Sequence, residues 1–206
     1  MSVSGSVFVV SGPSGAGKST LIRIVRESLS ALAYSVSHTS RKPRGTEANG
    51  ADYHFVKRES FERMIERGEF AEWAEVYKDY YGTSISSLEG PTSQGLDVIM
   101  DVDVQGASNI KARLKESFLV YVLPPSLGEL EARLRNRGTD SEESVRNRLE
   151  KAVEEIRNCL WYDYLIFNDD LAEAAEHLKS VILAQRCRLP RQLPKMRRIF
   201  DLDAPG

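Results

Sequence analysis

The chain carries the run Gly12-Pro13-Ser14-Gly15-Ala16-Gly17-Lys18-Ser19-Thr20 near its beginning. Its outer glycines and the Lys-Ser pair match the phosphate-binding pattern G-x-x-x-x-G-K-[ST] without a gap. An apolar, β-branched run precedes it at residues 7–10, and apolar residues at helix-like spacing follow at residues 21–25. Strand, loop and helix therefore come in the order of a nucleotide-binding loop. The alternative, a Gly/Ser turn that merely joins a strand to a helix, does not explain these flanks.

The chemistry of such a loop follows from its residue types. Glycines leave backbone N–H groups free to wrap phosphate oxygens, and the next helix directs its partial positive N-terminus at them. The Lys18 ammonium is expected to reach the terminal phosphates, and the Ser19 hydroxyl to ligate Mg²⁺. The loop predicts a nucleotide-handling protein that uses Mg²⁺, but it does not name the reaction.

Composition excludes several classes of protein. With 206 residues, 41% of them hydrophobic, the chain suits one domain with insertions. Its formal net charge of −2 gives no global basic field, so we expect no nucleic-acid partner. Cys159 and Cys187 lack metal-site spacing and suggest no disulfide framework, as in a reducing compartment. Without a signal-like opening or an apolar run of roughly 20 residues, we expect a cytoplasmic location and no membrane partner.

The pattern along the chain predicts an α/β fold. Apolar strand candidates, most of them followed by helical periodicity, lie at residues 6–11, 33–37, 96–102, 118–123 and 164–168. This alternation is typical of a parallel sheet covered by helices on both faces. Ser126 and Glu129 form a capping-box pattern at the start of one helix. We therefore expect a nucleotide-binding core over residues 1–36 and 95–189.

Three segments differ from this core. Residues 37–94 are rich in Tyr, Glu, Arg and Gly, which suggests an insert. Residues 135–147 include a polar stretch that suits a mobile lid or an ordinary helix connection. Residues 190–206 belong to a basic, Pro-interrupted C-terminal segment for which we expect a poorly ordered, solvated tail; contact with a partner subunit or an anionic surface is the alternative.

Several motifs, in order, resemble those of guanylate kinases, which are P-loop nucleoside monophosphate kinases. They are Ser37-His38-Thr39-Ser40-Arg41-Lys42-Pro43-Arg44, Glu47, Gly50, Tyr53-His54-Phe55-Val56, Glu72-Trp73-Ala74-Glu75-Val76, Tyr80-Tyr81-Gly82-Thr83-Ser84, Asp101-Val102-Asp103-Val104-Gln105-Gly106-Ala107, Arg133, Arg137-Gly138-Thr139, Glu142-Glu143-Ser144, Arg148-Leu149, Asp163-Tyr164 and Asn168-Asp169-Asp170. The resemblance covers residues 5–185. It implies transfer of the ATP γ-phosphoryl group to GMP, and to dGMP, in a monomer or homodimer that binds GMP through the insert.

Two positions depart from the family pattern. The family usually has Gly directly before the glutamate at position 47, whereas here Gly45 precedes Thr46. It also tends to have Gly-Asn before the paired tyrosines, where this chain has Lys78-Asp79. Both departures concern the backbone of a turn, since Gly and Asp favour turns for different reasons.

The resemblance assigns the acceptor site. It places GMP against Ser37, Arg41, Arg44, Tyr53, Glu72, Tyr81, Thr83 and Asp103. Arginines suit bidentate binding of a phosphate, and the Glu72 carboxylate suits guanine, which offers N1–H and an amine where adenine offers an unprotonated nitrogen. Without the resemblance, Glu72 would be interpreted as a surface residue of a helix, Tyr53 and Tyr81 as half-buried core residues, and Asp103 as a helix cap.

The resemblance also assigns the catalytic and donor sites. The catalytic set is Lys18, Arg41, Arg133, Arg137 and Arg148, because phosphoryl transfer depends on positioning and charge neutralisation. ATP is placed on residues 12–20 and near Asn168, for which turn chemistry is the alternative. Mg²⁺ is placed on Ser19 and, partly through water, on Asp101 at a strand edge. Taken singly, the last three arginines would be exposed helix residues.

Two other functions compete with a kinase. Residues 103–106 fit the D-x-x-G pattern of GTP-hydrolysing switches, but the chain has no N-K-x-D segment to read guanine. A guanylate-kinase-like interaction module that has lost its chemistry typically has a degraded phosphate loop. Here Lys18, Ser19, Arg41, Arg44 and Arg137 are all present, so the sequence favours the enzyme.

Overall fold

The computed structural model describes residues 4–76, 78–114, 116–136 and 142–201. Its core is a five-stranded parallel sheet in the order β2-β7-β1-β8-β9. These strands are β1 (Val7–Ser11), β2 (Leu32–Tyr34), β7 (Asp97–Asp101), β8 (Phe118–Leu123) and β9 (Tyr164–Phe167). All five residues of the central strand β1 are buried, as expected for a strand covered on both faces. The predicted α/β class is confirmed, and the second strand ends at Tyr34 instead of residue 37.

Helices cover both faces of this sheet. They are α1 (Lys18–Ser28), α2 (Arg58–Glu66), α3 (Ile85–Ser93), α4 (Val104–Arg113), α5 (Leu127–Asn136), α6 (Glu142–Arg157), α7 (Leu171–Arg186) and α8 (Leu189–Ile199). Side chains from α1 and α7 pack on one face, and side chains from α3 and α4 pack on the other. Helices α5 and α6 share a smaller cluster through Leu130, Leu134, Val145 and Ala152. Among the described residues, no helix combines the length and apolar character needed to cross a bilayer.

The residues between β2 and β7 form a second sheet in the order β4-β3-β6-β5. Its strands are β3 (His38–Thr39), β4 (His54–Phe55), β5 (Phe70–Val76) and β6 (Asp79–Ser84). Glu72 lies in β5, so the interpretation of its neighbourhood as a helix is wrong. The β5–β6 pairing passes through a bulge between Phe70 and Glu72. A bulge changes the direction of the side chains beside it, and this one adjoins Glu72, whose carboxylate the family resemblance assigns to guanine.

The C-terminal segment is not a poorly ordered tail over residues 189–199, where it forms α8. Pro190 lies in the first turn of α8, where a missing N–H is tolerated. Arg191 then reaches the fully buried Asp97 at the start of β7, with Nη1 donating to Oδ1 at 2.6 Å. Basic charge and prolines predict a solvated tail, and that prediction is wrong over residues 190–199 because Arg191 has a buried partner.

Candidate active site

A cleft of about 690 Å³ lies between the phosphate loop, the second sheet and helix α6. It brings together predicted residues from several separate segments of the chain. Those that line it are Gly12, Ser14, Lys18, Ser19, Ser37, Tyr53, Glu72, Tyr81, Asp101, Asp103 and Arg148. The phosphate loop, strands β5 and β6, the end of β7 and one face of α6 therefore share one space.

The last glycine of the phosphate loop, Gly17, lies in close contact with Asn168. Gly17 has φ of +89°, and a Cβ there would lie 2.3 Å from Nδ2 of Asn168. Only glycine fits both conditions. Helix α1 begins at Lys18, whose Nζ donates to the backbone oxygens of Gly12 at 2.8 Å and Pro13 at 3.3 Å. The ammonium is thereby held over the loop, next to the helix N-terminus that attracts anions.

Ser19 and Asp101 meet at the base of the cleft. The Ser19 hydroxyl donates to Oδ2 of Asp101 at 3.1 Å, and Nζ of Lys18 lies 3.9 Å from Oδ1. Burial raises the pKa of Asp101, and the nearby Lys18 charge acts in the opposite direction. A half-buried carboxylate beside a hydroxyl is an oxygen donor pair of the kind that Mg²⁺ binds together with substrate phosphates and water.

Arg41 is held by a network that the sequence prediction did not include. Its Nη1 and Nη2 donate to the two carboxylate oxygens of Glu47 at 2.9 and 2.8 Å, and Nε donates to the Tyr81 hydroxyl at 3.1 Å. Nη1 also donates to the backbone oxygen of Lys42. Four of the five N–H donors of the guanidinium are used in this way. Glu47 and Tyr81 therefore fix the orientation of Arg41 at the edge of the cleft.

Arg44 and Tyr53 differ in their relation to this network. The Tyr53 ring lies 5.5 Å from the Arg41 guanidinium carbon and packs edge-on against Tyr81. The Arg44 side chain is exposed, and its backbone N–H donates to Glu47 at 2.7 Å. Among the described residues, the cleft lining includes Tyr53 and Tyr81 but not Arg44. Tyr53 therefore lies in the cleft lining together with Tyr81, whereas the Arg44 side chain does not.

Glu72 lines the same cleft from strand β5. Thr83 donates through its hydroxyl to Oε1 of Glu72 at 2.6 Å, while Oε2 lies 3.2 Å from where a Cβ at Gly106 would stand. Burial raises the pKa of Glu72, and the charge of Asp103 adds to the effect. Asp103 lines the cleft and also caps α4 by accepting from the Gly106 N–H at 2.8 Å, which confirms its interpretation as a helix cap. A desolvated carboxylate in this position is suited to bind paired N–H donors.

Arg133 and Asn168 lie on the other side of the phosphate loop. They line a hollow of about 220 Å³ together with Gly15, Gly17, Thr20, Asp169 and Leu171. Nδ2 of the buried Asn168 donates to the Ala16 backbone oxygen at 2.7 Å, and Nη2 of Arg133 donates to the Asn168 backbone oxygen at 3.2 Å. Asn168 therefore braces the loop directly, and Arg133 reaches the loop through it.

Of the remaining residues in the predicted catalytic set, Arg148 lies on α6 and lines the cleft. Arg137 lies outside the described residues, as do residues 138–141 of the predicted lid. Helix α6 also places Lys151 and Glu155 in the cleft lining, three and seven residues after Arg148. That spacing was visible in the sequence as one face of a helix, but the apolar stripe of α6 was the signal that the sequence prediction used.

Comparisons with known proteins identify one family. A family model described as "Guanylate kinase" matches residues 4–185. A curated guanylate kinase from Geobacter sulfurreducens is 46% identical over 199 residues, which cover 97% of this chain and 98% of the relative. One from Syntrophotalea carbinolica is 45% identical over 203 residues, covering 98% and 97%. The crystal structure of guanylate kinase from Anaplasma phagocytophilum superposes with a TM-score of 0.77 at 30% identity and 95% coverage of each chain.

Proposed function

The chain belongs to the guanylate kinase family, and on this premise we propose that its cleft transfers the γ-phosphoryl group of ATP to GMP or dGMP. The observation that carries this proposal is that two binding features line one cleft. One is the phosphate loop with Lys18, and the other is the half-buried Glu72 carboxylate, which accepts a hydrogen bond from Thr83. A donor phosphate and a guanine base therefore have complementary partners within one space.

ATP is placed with its phosphates on residues 12–20. Lys18, which donates to two loop carbonyls, has three N–H donors and can turn one to a terminal phosphate. The hollow beside Arg133 and Asn168 adjoins the same loop and is placed to receive the adenosine part. Arg133 then borders the triphosphate from the side opposite the main cleft.

GMP is placed with its base at Glu72, Thr83 and Ser37 and its phosphate toward Tyr53, Tyr81 and Arg41. Guanine N1–H and its exocyclic amine donate to the carboxylate, while adenine presents a lone pair there and leaves the charge unpaired. Unpaired polar groups in a site of this kind reject a wrong substrate by about 10⁴-fold. Specificity for guanine thus follows from one desolvated carboxylate.

The reaction needs no general base on the acceptor. A GMP phosphate is largely ionised at neutral pH, since the second pKa of a phosphate monoester is about 6. The protein's task is to bring two anions together and neutralise charge on the transferring group. Lys18 supplies a cation from the loop, and Arg148, together with Arg137, supplies cations from α6 and the predicted lid over residues 135–147. Closure of that lid would exclude water from the phosphoryl group.

Ser19 and Asp101 are the residues that would hold Mg²⁺, partly through water. The described residues contain no group of three or more His, Cys, Asp or Glu side chains that could hold a metal by themselves, so the remaining ligands would be nucleotide phosphates and water. When bound, Mg²⁺ neutralises charge on the phosphate oxygens. Asp101 also keeps Ser19 oriented toward this position.

Several finer points belong to the same proposal. We assign GMP binding to an insert over residues 37–94 and nucleotide recycling as the metabolic role. We also assign a cytoplasmic location, supported by two free cysteines, and a monomer or homodimer without a nucleic-acid or membrane partner. An inactive interaction module is disfavoured because Lys18, Asp101 and Glu72 each keep a hydrogen bond within the cleft, to Gly12, Ser19 and Thr83 in turn.

The test is ADP formation with ATP and Mg²⁺ against GMP, dGMP, AMP, UMP and CMP in parallel. Turnover confined to the guanine nucleotides is the expected result. Turnover of AMP at a comparable rate would remove the assigned role of Glu72. A folded protein that binds ATP and GMP without turnover would instead support the interaction module.

A further inference from the structure

Helix α6 presents a stripe of charge to the cleft. Arg148, Lys151 and Glu155 all line it, and their spacings of three and four residues place them on one face of the helix. Arg148 has a role by family resemblance, as a cation over the transferring phosphoryl group. Lys151 lies one turn further along, about 5 Å in axial rise, and puts a second cation beside it.

The Glu155 end of the stripe lies near Asp103 and the phosphate-loop lysine. Glu155, at its far end, lies close enough to Asp103 and to Lys18 that both charges affect the pKa of its carboxyl. Asp103 in turn adjoins Glu72, because a Cβ at Gly106 would lie 3.4 Å from Oδ1 of Asp103 and 3.2 Å from Oε2 of Glu72. The Glu155 end of α6 therefore lies between the phosphate loop and the guanine end of the cleft.

The Lys151 ammonium is directed into this space by Glu155. Nζ of Lys151 lies 3.6 Å from Oε1 of Glu155 in an i,i+4 pair. The two partners differ in exposure, since the Glu155 side chain is 17% exposed and the Lys151 side chain 68% exposed. The carboxylate is thus the anchored member, and the ammonium remains open to a ligand. A pair this exposed contributes little to stability, so a dianionic phosphate can compete for the ammonium.

We propose that Lys151 is a further phosphate-binding residue for the acceptor nucleotide and that Glu155 is the positioning residue that directs its ammonium. This rests on the proposed function, because the ligand is the phosphate of GMP. Lys151 lines the same cleft as Arg148 and as Tyr53 and Tyr81, where the acceptor phosphate is placed. A lysine in this place adds a charge-assisted hydrogen bond to the acceptor phosphate. Its positive charge also reduces the repulsion between that phosphate and the phosphates of ATP.

The test compares Lys151→Ala with Arg157→Ala, which removes the same charge from an exposed position in the last turn of the same helix. Binding of GMP and of guanosine is measured by calorimetry without ATP. Loss of one phosphate contact should weaken GMP by about tenfold and guanosine by less than about twofold. In steady-state assays, KM for GMP should rise while KM for ATP stays within about twofold. Arg157→Ala should match the wild type in all four values.

Glu155→Gln tests the positioning role, with the exposed neighbour in Glu154→Gln as its control. Glu155→Gln should weaken GMP by about threefold, and the double variant with Lys151→Ala should be no weaker than Lys151→Ala alone. Additive losses would overturn the positioning role of Glu155. Equal losses of GMP and guanosine, or a Lys151→Ala variant equal to Arg157→Ala, would overturn the phosphate contact.

The two proposals fail separately in this design. The ratio of GMP to guanosine affinity is measured without turnover, so it decides the role of Lys151 even if the wild type forms no GDP. Absence of GDP formation would overturn the proposed function alone. A wild type that does not bind GMP would overturn both.

Discussion

Arg191 donates a hydrogen bond of 2.6 Å from Nη1 to Oδ1 of Asp97, across 94 residues of sequence. Asp97 is fully buried, and Arg186 donates to its other oxygen at 2.7 Å. Removing one of two arginines leaves a buried carboxylate with half of its neutralising contacts. We expect Arg191→Ala to lower the free energy of unfolding by about 2 kcal/mol, measured in urea.

Arg198→Ala is the matched control, since Arg198 is an exposed arginine of the same helix. It should change stability by less than about 0.5 kcal/mol. Below the unfolding transition, kcat of both variants should equal that of the wild type, because Asp97 lies at the amino end of β7 and the cleft at the carboxyl end. A fall in kcat without a fall in stability would contradict this structural role.

Glu72→Gln should lower kcat/KM for GMP by about 100-fold and reduce the preference for GMP over AMP. The substitution replaces the charged acceptor for guanine by a neutral amide. Glu75→Gln, an exposed residue of the same strand, is the control. Steady-state kinetics with both nucleotides measure the effect. Retained GMP kinetics with continued rejection of AMP would show that guanine is read elsewhere.

The same carboxyl predicts a pH dependence. Burial raises the pKa of Glu72 above its ordinary value, so the group takes up a proton at a higher pH than an exposed glutamate does. Guanine binding needs the charged form and should weaken as the pH falls through that raised pKa. The ratio of kcat/KM between wild type and Glu72→Gln cancels the titration of the GMP phosphate and should fall toward acid pH. A ratio that does not change with pH would contradict this mechanism.

Glu47→Gln should raise KM for GMP by about tenfold, since Arg41 loses its charged partner and its fixed orientation. Glu66→Gln, exposed on α2, is the control. Hydrogen bonds from Arg41 lower the pKa of Glu47 to about 2. The ion pair therefore contributes fully above the ordinary glutamate pKa and is lost only as the pH falls toward 2. The effect of the substitution should thus be constant from pH 6 to 9, and a change within that range would point to another group.

Asn168→Ala should raise KM for ATP by about tenfold and leave KM for GMP nearly unchanged. The substitution removes the 2.7 Å hydrogen bond that braces the buried backbone oxygen of Ala16 in the phosphate loop. Asn158→Ala is a matched control, because Asn158 also donates to a backbone oxygen but in an exposed position. Equal effects on ATP and GMP would show that Asn168 stabilises the fold in general instead of the loop.

The sequence predicts a feature of this molecule well when the residues that form it lie close together in the chain, and poorly when they lie far apart. The phosphate loop could be predicted because its glycines, Lys18 and Ser19 are contiguous and shape the backbone locally. The Arg41–Glu47 pair was missed because it forms across an irregular loop, where no period points from one residue to the other. Helix α8 was missed because the partner of Arg191 lies near the middle of the chain. Lys151 and Glu155 became candidates only when the fold turned their face of α6 toward the cleft.

Lys78 shows how one family departure is accommodated. Where guanylate kinases tend to have glycine, Lys78 keeps a left-handed backbone with φ of +72°, and its carbonyl accepts a hydrogen bond from Arg58 at 2.8 Å. The turn into β6 has therefore retained a conformation that costs a non-glycine residue about 1 kcal/mol. Lys78→Gly should relieve this and raise the free energy of unfolding by about 0.5–1 kcal/mol. Lys78→Ala removes the same side chain but keeps the unfavourable φ, so it should give no such gain. Equal stabilisation by Gly and Ala in urea unfolding would place the effect in the lysine side chain instead of the backbone.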